Sequence, residues 1–371
     1  MFEIQNDETV HDSRIKVVGV GGAGNNALGH MVAEKIHGVT FSAINTDNQV
    51  LTKCQVDNRV LIGQQTTRGR GAGCNPDVGK IAAEENRDEI ERQLEGASMV
   101  FIAAGMGGGT GTGAAPVVAK LAREKNILTV AVVTKPFSFE GDEKRQLAEE
   151  GLRKLGEVVD SLIVLPNDKI MKVMDKKCTL VDAFKEANSV LCGAVTGISD
   201  LVTRTGFMNV DFSDVKTVMT KYGMSMMGTG YASGEDRARL ACQAAISSPL
   251  LEDVDLSGAK GVLVNITCRD LGLMEFDEIG QMIREKADRN ATIKIGSVVS
   301  DDLEDEDGLK VTVVATGLES PYRKSLTMEE HPDVSLESRG AMTATRQGQG
   351  VEKPSVMPDI PGPSFLKSQR P

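Results

Sequence analysis

Two glycine-rich segments and one pair of carboxylates carry the residue types able to do chemistry in this chain of 371 residues. The segment GVGGAGNN (19–26) puts Gly19, Gly21 and Gly24 at the spacing G-x-G-x-x-G, after an apolar run and ahead of a helical pattern. Backbone N–H groups and the positive end of a helix at such a turn attract a phosphate. With Asp47 closing the next apolar run, these residues alone suit an NAD-dependent oxidoreductase, or a tight turn without a ligand. The segment GMGGGTGTG (105–113) asks for more. Gly107, Gly108, Gly109, Gly111 and Gly113 together point to backbone wrapped closely against an anion, and Thr110 and Thr112 add hydroxyl donors. Two phosphate cradles at neighbouring strand ends suit one long polyphosphate better than a single pyrophosphate. No G-x-x-x-x-G-K-[ST] occurs, so this is not a P-loop protein. Farther on, NVDFSD (209–214) sets Asp211 and Asp214 at a D-x-x-D spacing. Two such carboxylates can orient a water and a cation; the same pair can instead cap a helix and favour its dipole.

Strands and helices must hold these groups in place. Continuous apolar runs at 14–20, 39–45, 98–104, 127–134 and 159–165 read as buried strands. Helical patterns near 24–36, 76–95, 112–125 and 142–157 fall between them. This alternation predicts an α/β fold, a doubly wound and mostly parallel sheet with the glycine loops at strand ends. Over 179–203, Leu180, Phe184, Ala187, Leu191, Val195, Ile198 and Val202 recur at intervals of three and four, one face of a long central helix. Thr179 and Asp182 form its capping pair. Strand-like runs at 222–232, 260–268, 291–299 and 309–316, with helical patterns at 234–247 and 275–288, predict a second, smaller α/β domain. The acidic run 301–308 reads as a solvated turn, since its spacing is not that of an EF-hand. The expected division is a flexible start (1–12), a nucleotide-binding domain (13–178), the central helix (179–203), a second domain (204–318), a disordered linker (319–357) and a tail (358–371). In that tail Ile360, Phe365 and Leu366 reappear among polar residues, as in a docking peptide or a chance cluster.

Composition removes other functions. Acidic residues exceed basic ones by 53 to 42, and no basic stripe stands out, so a nucleic-acid partner is not expected. Trp is absent and aromatic residues make up 4%, too few for base-stacking platforms. The six cysteines contain no C-x-x-C and the four histidines no H-x-x-x-H, which leaves no ligand set for a protein-held metal. No apolar run approaches the roughly 20 residues of a bilayer span, and no leader opens the chain. A cytoplasmic protein without membrane insertion is expected.

GGGTGTG (107–113), together with GVGGAGNN, NTD (45–47), LPND (165–168) and NVDFSD, resembles the signature set of the tubulin/FtsZ family across roughly residues 13–318. The resemblance implies a self-assembling GTPase that binds GTP or GDP in its first domain, with Mg²⁺ on the phosphates. By position it implies Gly21, Gly22, Ala23, Gly24, Asn25 and Asn26 in the first loop and Gly107 to Gly113 in the second. Gly73, within GRGAGCNP (69–76), falls in a third loop near the γ-phosphate. Glu140 is implied at the ribose, with Asn167 nearby. Phe184 and Asn188, at i and i+4 of the central helix, offer a ring for the base and an amide for its edge, although Phe184 suits an ordinary core equally. The family usually places an arginine four residues after the ribose glutamate; Lys144 stands there and Arg145 follows, leaving two candidates for the phosphates. Asn209, Asp211 and Asp214 are implied to complete the site of the adjacent subunit and polarise the attacking water. Head-to-tail contact then yields a homopolymer, the filaments of a division ring at mid-cell on the inner face of the membrane. The tail 358–371 is similar to the family's partner peptide, with extra residues between Pro361 and Phe365. It implies docking to an actin-like membrane anchor and other division proteins.

Overall fold

The computed structural model describes residues 14–319 except 173, 176, 205, 222, 252–255, 301, 302 and 304. The expected flexible start, the tail peptide and all but the first residue of the expected linker lie outside the described residues.

The apolar runs pair as strands. β1 (Ile15–Val20), β2 (Val39–Asn45), β3 (Asn58–Leu61), β4 (Met99–Gly105), β5 (Leu128–Lys135) and β6 (Ser161–Pro166) lie parallel in the order β3-β2-β1-β4-β5-β6. Helices cover both faces, so β4 buries Met99 through Ala104 and its sequence shows no alternation. The sheet does not stop there. β7 (Met224–Ala232) pairs parallel to β6, and β8 (Gly261–Cys268), β9 (Thr292–Val299) and β10 (Leu309–Leu318) extend it in the order β7-β10-β8-β9. β10 runs antiparallel to both its neighbours, while β9 is parallel to β8. At the junction of β6 and β7 the buried hydroxyls of Ser161 and Ser225 share a hydrogen bond of 2.7 Å.

Helix starts follow the caps. α1 (Gly21–Ala33) begins inside the first glycine loop. Asp47 caps α2 (Asn48–Lys53), accepting from the N–H groups of Gln49 and Val50, and α3 (Gln64–Thr67) is a single turn. The single helix expected over 76–95 divides into α4 (Pro76–Glu85) and α5 (Arg87–Leu94). Asn86 between them leaves helical geometry at φ −112°, and its Oδ1 accepts the Gly63 N–H at 2.7 Å, the local competition that side-chain amides offer a helix. α6 (Gly109–Glu124) starts within the second glycine loop, and α7 (Asp142–Gly156) and α8 (Asn167–Met171) follow β5 and β6.

α9 (Leu180–Thr203) is the expected central helix, with 24 residues and a reciprocal cap between Thr179 and Asp182. Its buried seam runs through Ala183, Ala187, Leu191, Val195, Ile198 and Leu201. Leu180 and Phe184, expected on that seam, are exposed instead. α10 (Phe212–Met219), α11 (Arg237–Ile246) and α12 (Leu273–Lys286) complete the described helices. One apolar core gathers α1, α9 and α10 on one face of the sheet and takes residues from both halves, Phe101 and Ile163 with Leu263 and Val298. A second lies under α4 to α7, and a third under α11 and α12.

Candidate nucleotide site

Strand order reverses between β1 and β4, and open α/β sheets bind ligands at the carboxyl ends of strands at such a point. A cavity of about 330 Å³ opens there, walled by the chain following β1, β2, β4, β5 and β6 and closed on one side by α9. At one end lie Gly22 and Ala23 of the first loop, Gly107 to Gly111 of the second, including Thr110, and Gly71 to Cys74 of the third, including Gly73. Gly107 has φ +98°, and a Cβ there would stand 2.7 Å from the Lys144 carbonyl oxygen. Such a backbone is open to glycine alone among the common residues.

Of the other expected ligands of the nucleotide, Gly21, Gly24, Asn25, Asn26, Thr112, Gly113 and Arg145 do not line the cavity, and several of them shape its loops from behind. Thr112 Oγ1 accepts the Gly107 N–H at 2.8 Å, and Thr46 and Thr110 share a hydroxyl bond of 2.6 Å. Asn25 is buried; with its amide nitrogen toward the loop it donates to the carbonyls of Gly21 and Gly19 at 2.7 and 3.1 Å. Gly21 lies against Gly111, Gly24 against the Ala103 carbonyl, and Gly113 against the Pro76 carbonyl, with no room for a Cβ. Asn26 faces a neighbouring depression beside Lys53. Arg145 stays outside, 3.5 Å from Asp142, whereas Lys144 is on the wall.

At the other end Glu140, Asn167, Phe184 and Asn188 converge, with Asp47 on the flank. Phe184 is exposed and Asn188, one turn on along α9, is half-buried, and the Phe184 ring meets Phe137 edge-on at 5.3 Å. Glu140 Oε1 accepts the Phe137 N–H at 3.0 Å, and its Oε2 receives Lys144 Nζ at 3.1 Å. The buried Asn167 Oδ1 and Asn45 Nδ2 have no hydrogen-bond partner. One orphaned acceptor and one orphaned donor lining the same cavity fit a polar ligand carrying both, since each costs free energy unpaired. Asn45, Thr134 and Pro136 also line the cavity. Asn45 stood within the NTD motif; Thr134 and Pro136 needed knowledge of which strands are neighbours.

The carboxylate pair sits elsewhere. Asp211 caps α10, its Oδ1 accepting the Asp214 N–H at 2.7 Å and the Ser213 hydroxyl at 2.8 Å. Those bonds to its charged form, the Asp214 N–H first, hold its carboxyl below the usual range. Asp214 Oδ1 lies 2.6 Å from Lys294 Nζ on β9, and Asn209 Oδ1 accepts the Gly206 N–H at 2.8 Å. None of the three lines the cavity. Among the described residues no group of three His, Cys, Asp or Glu could hold a metal ion.

Glycine loops at the switch point of a doubly wound sheet, backed by a long helix that continues into a second α/β unit, define the tubulin class of nucleotide-binding protein. The tubulin/FtsZ family GTPase domain matches residues 14–175, and the FtsZ family C-terminal domain matches residues 223–319. The cell division protein FtsZ of Coxiella burnetii is 56% identical over 321 residues, covering 86% of this chain and 82% of that protein. For the Pseudomonas aeruginosa protein of the same name the identity is 50% over 363 residues, covering 96% and 91%. A solved FtsZ dimer from M. jannaschii has a TM-score of 0.78 and 42% identity over 87% of this chain and 95% of its own. The chain belongs to the FtsZ family. Its first half is therefore a GTPase domain, which overturns the NAD-dependent oxidoreductase reading of Gly19, Gly21 and Gly24. In physical terms, Gly24 packs α1 onto β4, and Asp47 spends its carboxylate on capping α2.

Proposed function

We propose that this GTPase of the cell-division cytoskeleton completes its active site only between subunits. The observation that carries the reading is the separation, within one chain, of the nucleotide cavity from Asn209, Asp211 and Asp214. The cavity holds GTP or GDP: the glycine loops take the phosphates, Glu140 and Asn167 the ribose, and Phe184 and Asn188 the guanine. Lys144, on the wall, is favoured over Arg145 as the basic residue nearest the nucleotide. A following subunit presents its α10 cap, where Asp211 and Asp214 orient and polarise water toward the γ-phosphate, with Asn209 assisting. Positioning and charge compensation are most of what phosphoryl transfer asks of a protein. Mg²⁺, when bound, neutralises phosphate charge; it keeps waters and takes phosphate oxygens as ligands, so it needs no cluster of protein ligands.

A head-to-tail contact of this kind is heterologous and propagates, giving the filaments of a division ring at mid-cell in the cytoplasm. Among the described residues no helix is long and apolar enough to cross a membrane. Attachment falls to residues 358–371, docking to an actin-like membrane anchor and other division proteins. GTP hydrolysis per subunit, measured with Mg²⁺ against protein concentration and with light scattering in parallel, tests the reading. The rate should be near zero at low concentration and rise at the threshold where scattering rises. A rate per subunit independent of concentration would mean a self-contained site.

A further inference from the structure

Asp168 lies outside the cavity wall, yet it ties together two of the groups that make it. Its Oδ1 accepts the Ser138 backbone N–H at 2.8 Å and its Oδ2 accepts the Ser138 hydroxyl at 2.5 Å. Both donors of one residue are thus taken by one carboxylate, which sits in the first turn of α8, where negative charge is favoured. Ser138 opens the single turn Ser138–Glu140 that leads into α7. That turn carries Glu140, while α8 carries Asn167, the residue immediately before Asp168.

The geometry points to Asp168 as a positioning residue that sets the spacing between Glu140 and Asn167, and so the fit of the cavity to the sugar of its nucleotide. Without the clamp the turn keeps Glu140's own bond to the Phe137 N–H and the stacking of Phe137 on Phe139 at 4.9 Å. Both hold the turn's internal shape. Neither is a bond between the turn and α8. Loss of Asp168 therefore frees the turn to shift as a unit against Asn167, and the effect falls on contacts to sugar hydroxyls.

This inference rests on the ribose assignment of Glu140 and Asn167, and the test separates the two. Binding of GDP and of 2′,3′-dideoxy-GDP is measured by calorimetry on the full chain, below the assembly threshold, for wild type, Asp168→Ala, Asp168→Asn and Ser138→Ala. Wild type should prefer GDP about tenfold. Asp168→Ala should weaken GDP binding roughly three- to tenfold, the size of one net hydrogen bond, and leave the dideoxy nucleotide within twofold. Asn can accept the Ser138 N–H and donate to its hydroxyl, so Asp168→Asn should restore the preference; Ser138→Ala should fall between. A wild type that does not prefer GDP removes the ribose assignment and the clamp with it. A folded Asp168→Ala that keeps the full wild-type preference removes the clamp alone, because a merely stabilising contact would lower the melting temperature without changing the ratio.

Discussion

Asp211 caps α10, and the proposed split site gives it a second job that a single substitution can pull apart. As the cap of α10 it needs a side-chain acceptor; as a polarising group it needs a negative charge. Asn caps a helix about as well as Asp, so Asp211→Asn should keep the melting temperature at neutral pH within a degree or two. GTP turnover should nevertheless drop by about 10² or more with nucleotide binding retained, a set of changes that capping alone cannot produce. The same carboxyl sits below its ordinary value because the Asp214 N–H and Ser213 hydroxyl bond its charged form. Its contribution to stability is therefore present above an unfolded value of about 4 and is lost as pH falls through the depressed folded value. Urea unfolding followed from pH 6 to pH 2.5 should show a shallower acid loss for Asp211→Asn than for wild type.

Thiol chemistry reports on the cavity independently. Burial pushes the thiols of Cys192, Cys242 and Cys268 up to about 11, and their side chains are closed to reagents. Cys74 and Cys178 are exposed, and only Cys74 borders the cavity. Iodoacetamide with mass-spectrometric readout should label those two first, and GDP should slow Cys74 while leaving Cys178 unchanged. Equal slowing at both would put the nucleotide elsewhere.

Elements carry a different set of forces. The reciprocal cap of Thr179 and Asp182 starts α9, with the Asp182 N–H donating to Thr179 Oγ1 at 3.2 Å and the Thr179 N–H donating to Asp182 Oδ2 at 3.0 Å. Thr179→Ala should cost about 1 kcal/mol, measured as a shift of the denaturant midpoint at constant slope. Gly113 is more exacting, since a Cβ would run into the Pro76 carbonyl where α4 and α6 touch. Gly113→Ala should destabilise by about 1–3 kcal/mol and weaken nucleotide binding, because α6 begins in the second glycine loop on the cavity wall. The two helix contacts also show where sequence reading reaches its limit. β1, β2, β4, β5, β6 and α9 were legible because each is a long apolar run or a full helical face. The break at Asn86 was not, because its cause is a hydrogen bond to Gly63, distant in sequence. β3, α2, α3 and α8 have too few residues for periodicity to register. At the site, Gly107 to Gly111 were legible from composition, while the supporting positions of Asn25, Thr112 and Gly113 depend on packing partners. Phe184 illustrates the same limit: helical spacing left it open between the apolar core and a ring facing the base, and the fold places it on the cavity wall.

On the scale of the whole molecule the sheet is continuous from β3 to β9, and the core along α9 draws on both halves. Heat should therefore unfold the described residues in one calorimetric transition, with the calorimetric and van't Hoff enthalpies equal. Saturation with GDP at about 100 times its Kd should stabilise that transition by about 2.7 kcal/mol. Hydrogen exchange should then slow in β8 and β10 as well as around the cavity; protection confined to residues before α9 would mean that the halves open separately.

The order of strands also governs how the protein is made. All six strands on the nucleotide side are complete in the chain once Pro166 is synthesised, and each pairs only with others of that set until β7 arrives. In the second half the strand between β7 and β8 is β10, the last of the described strands. Because amino-terminal parts fold first during synthesis, the nucleotide cavity can close on the ribosome while β7 and β8 still wait for their shared neighbour. Asp211 caps α10 and Asp214 lies in its first turn, and α10 packs on β8 and β9, so the pair gains its final support only after those strands are made. On the proposed split site, a nascent subunit can thus load nucleotide before it can trigger hydrolysis in another, and strand order helps to keep unfinished chains from acting on finished ones.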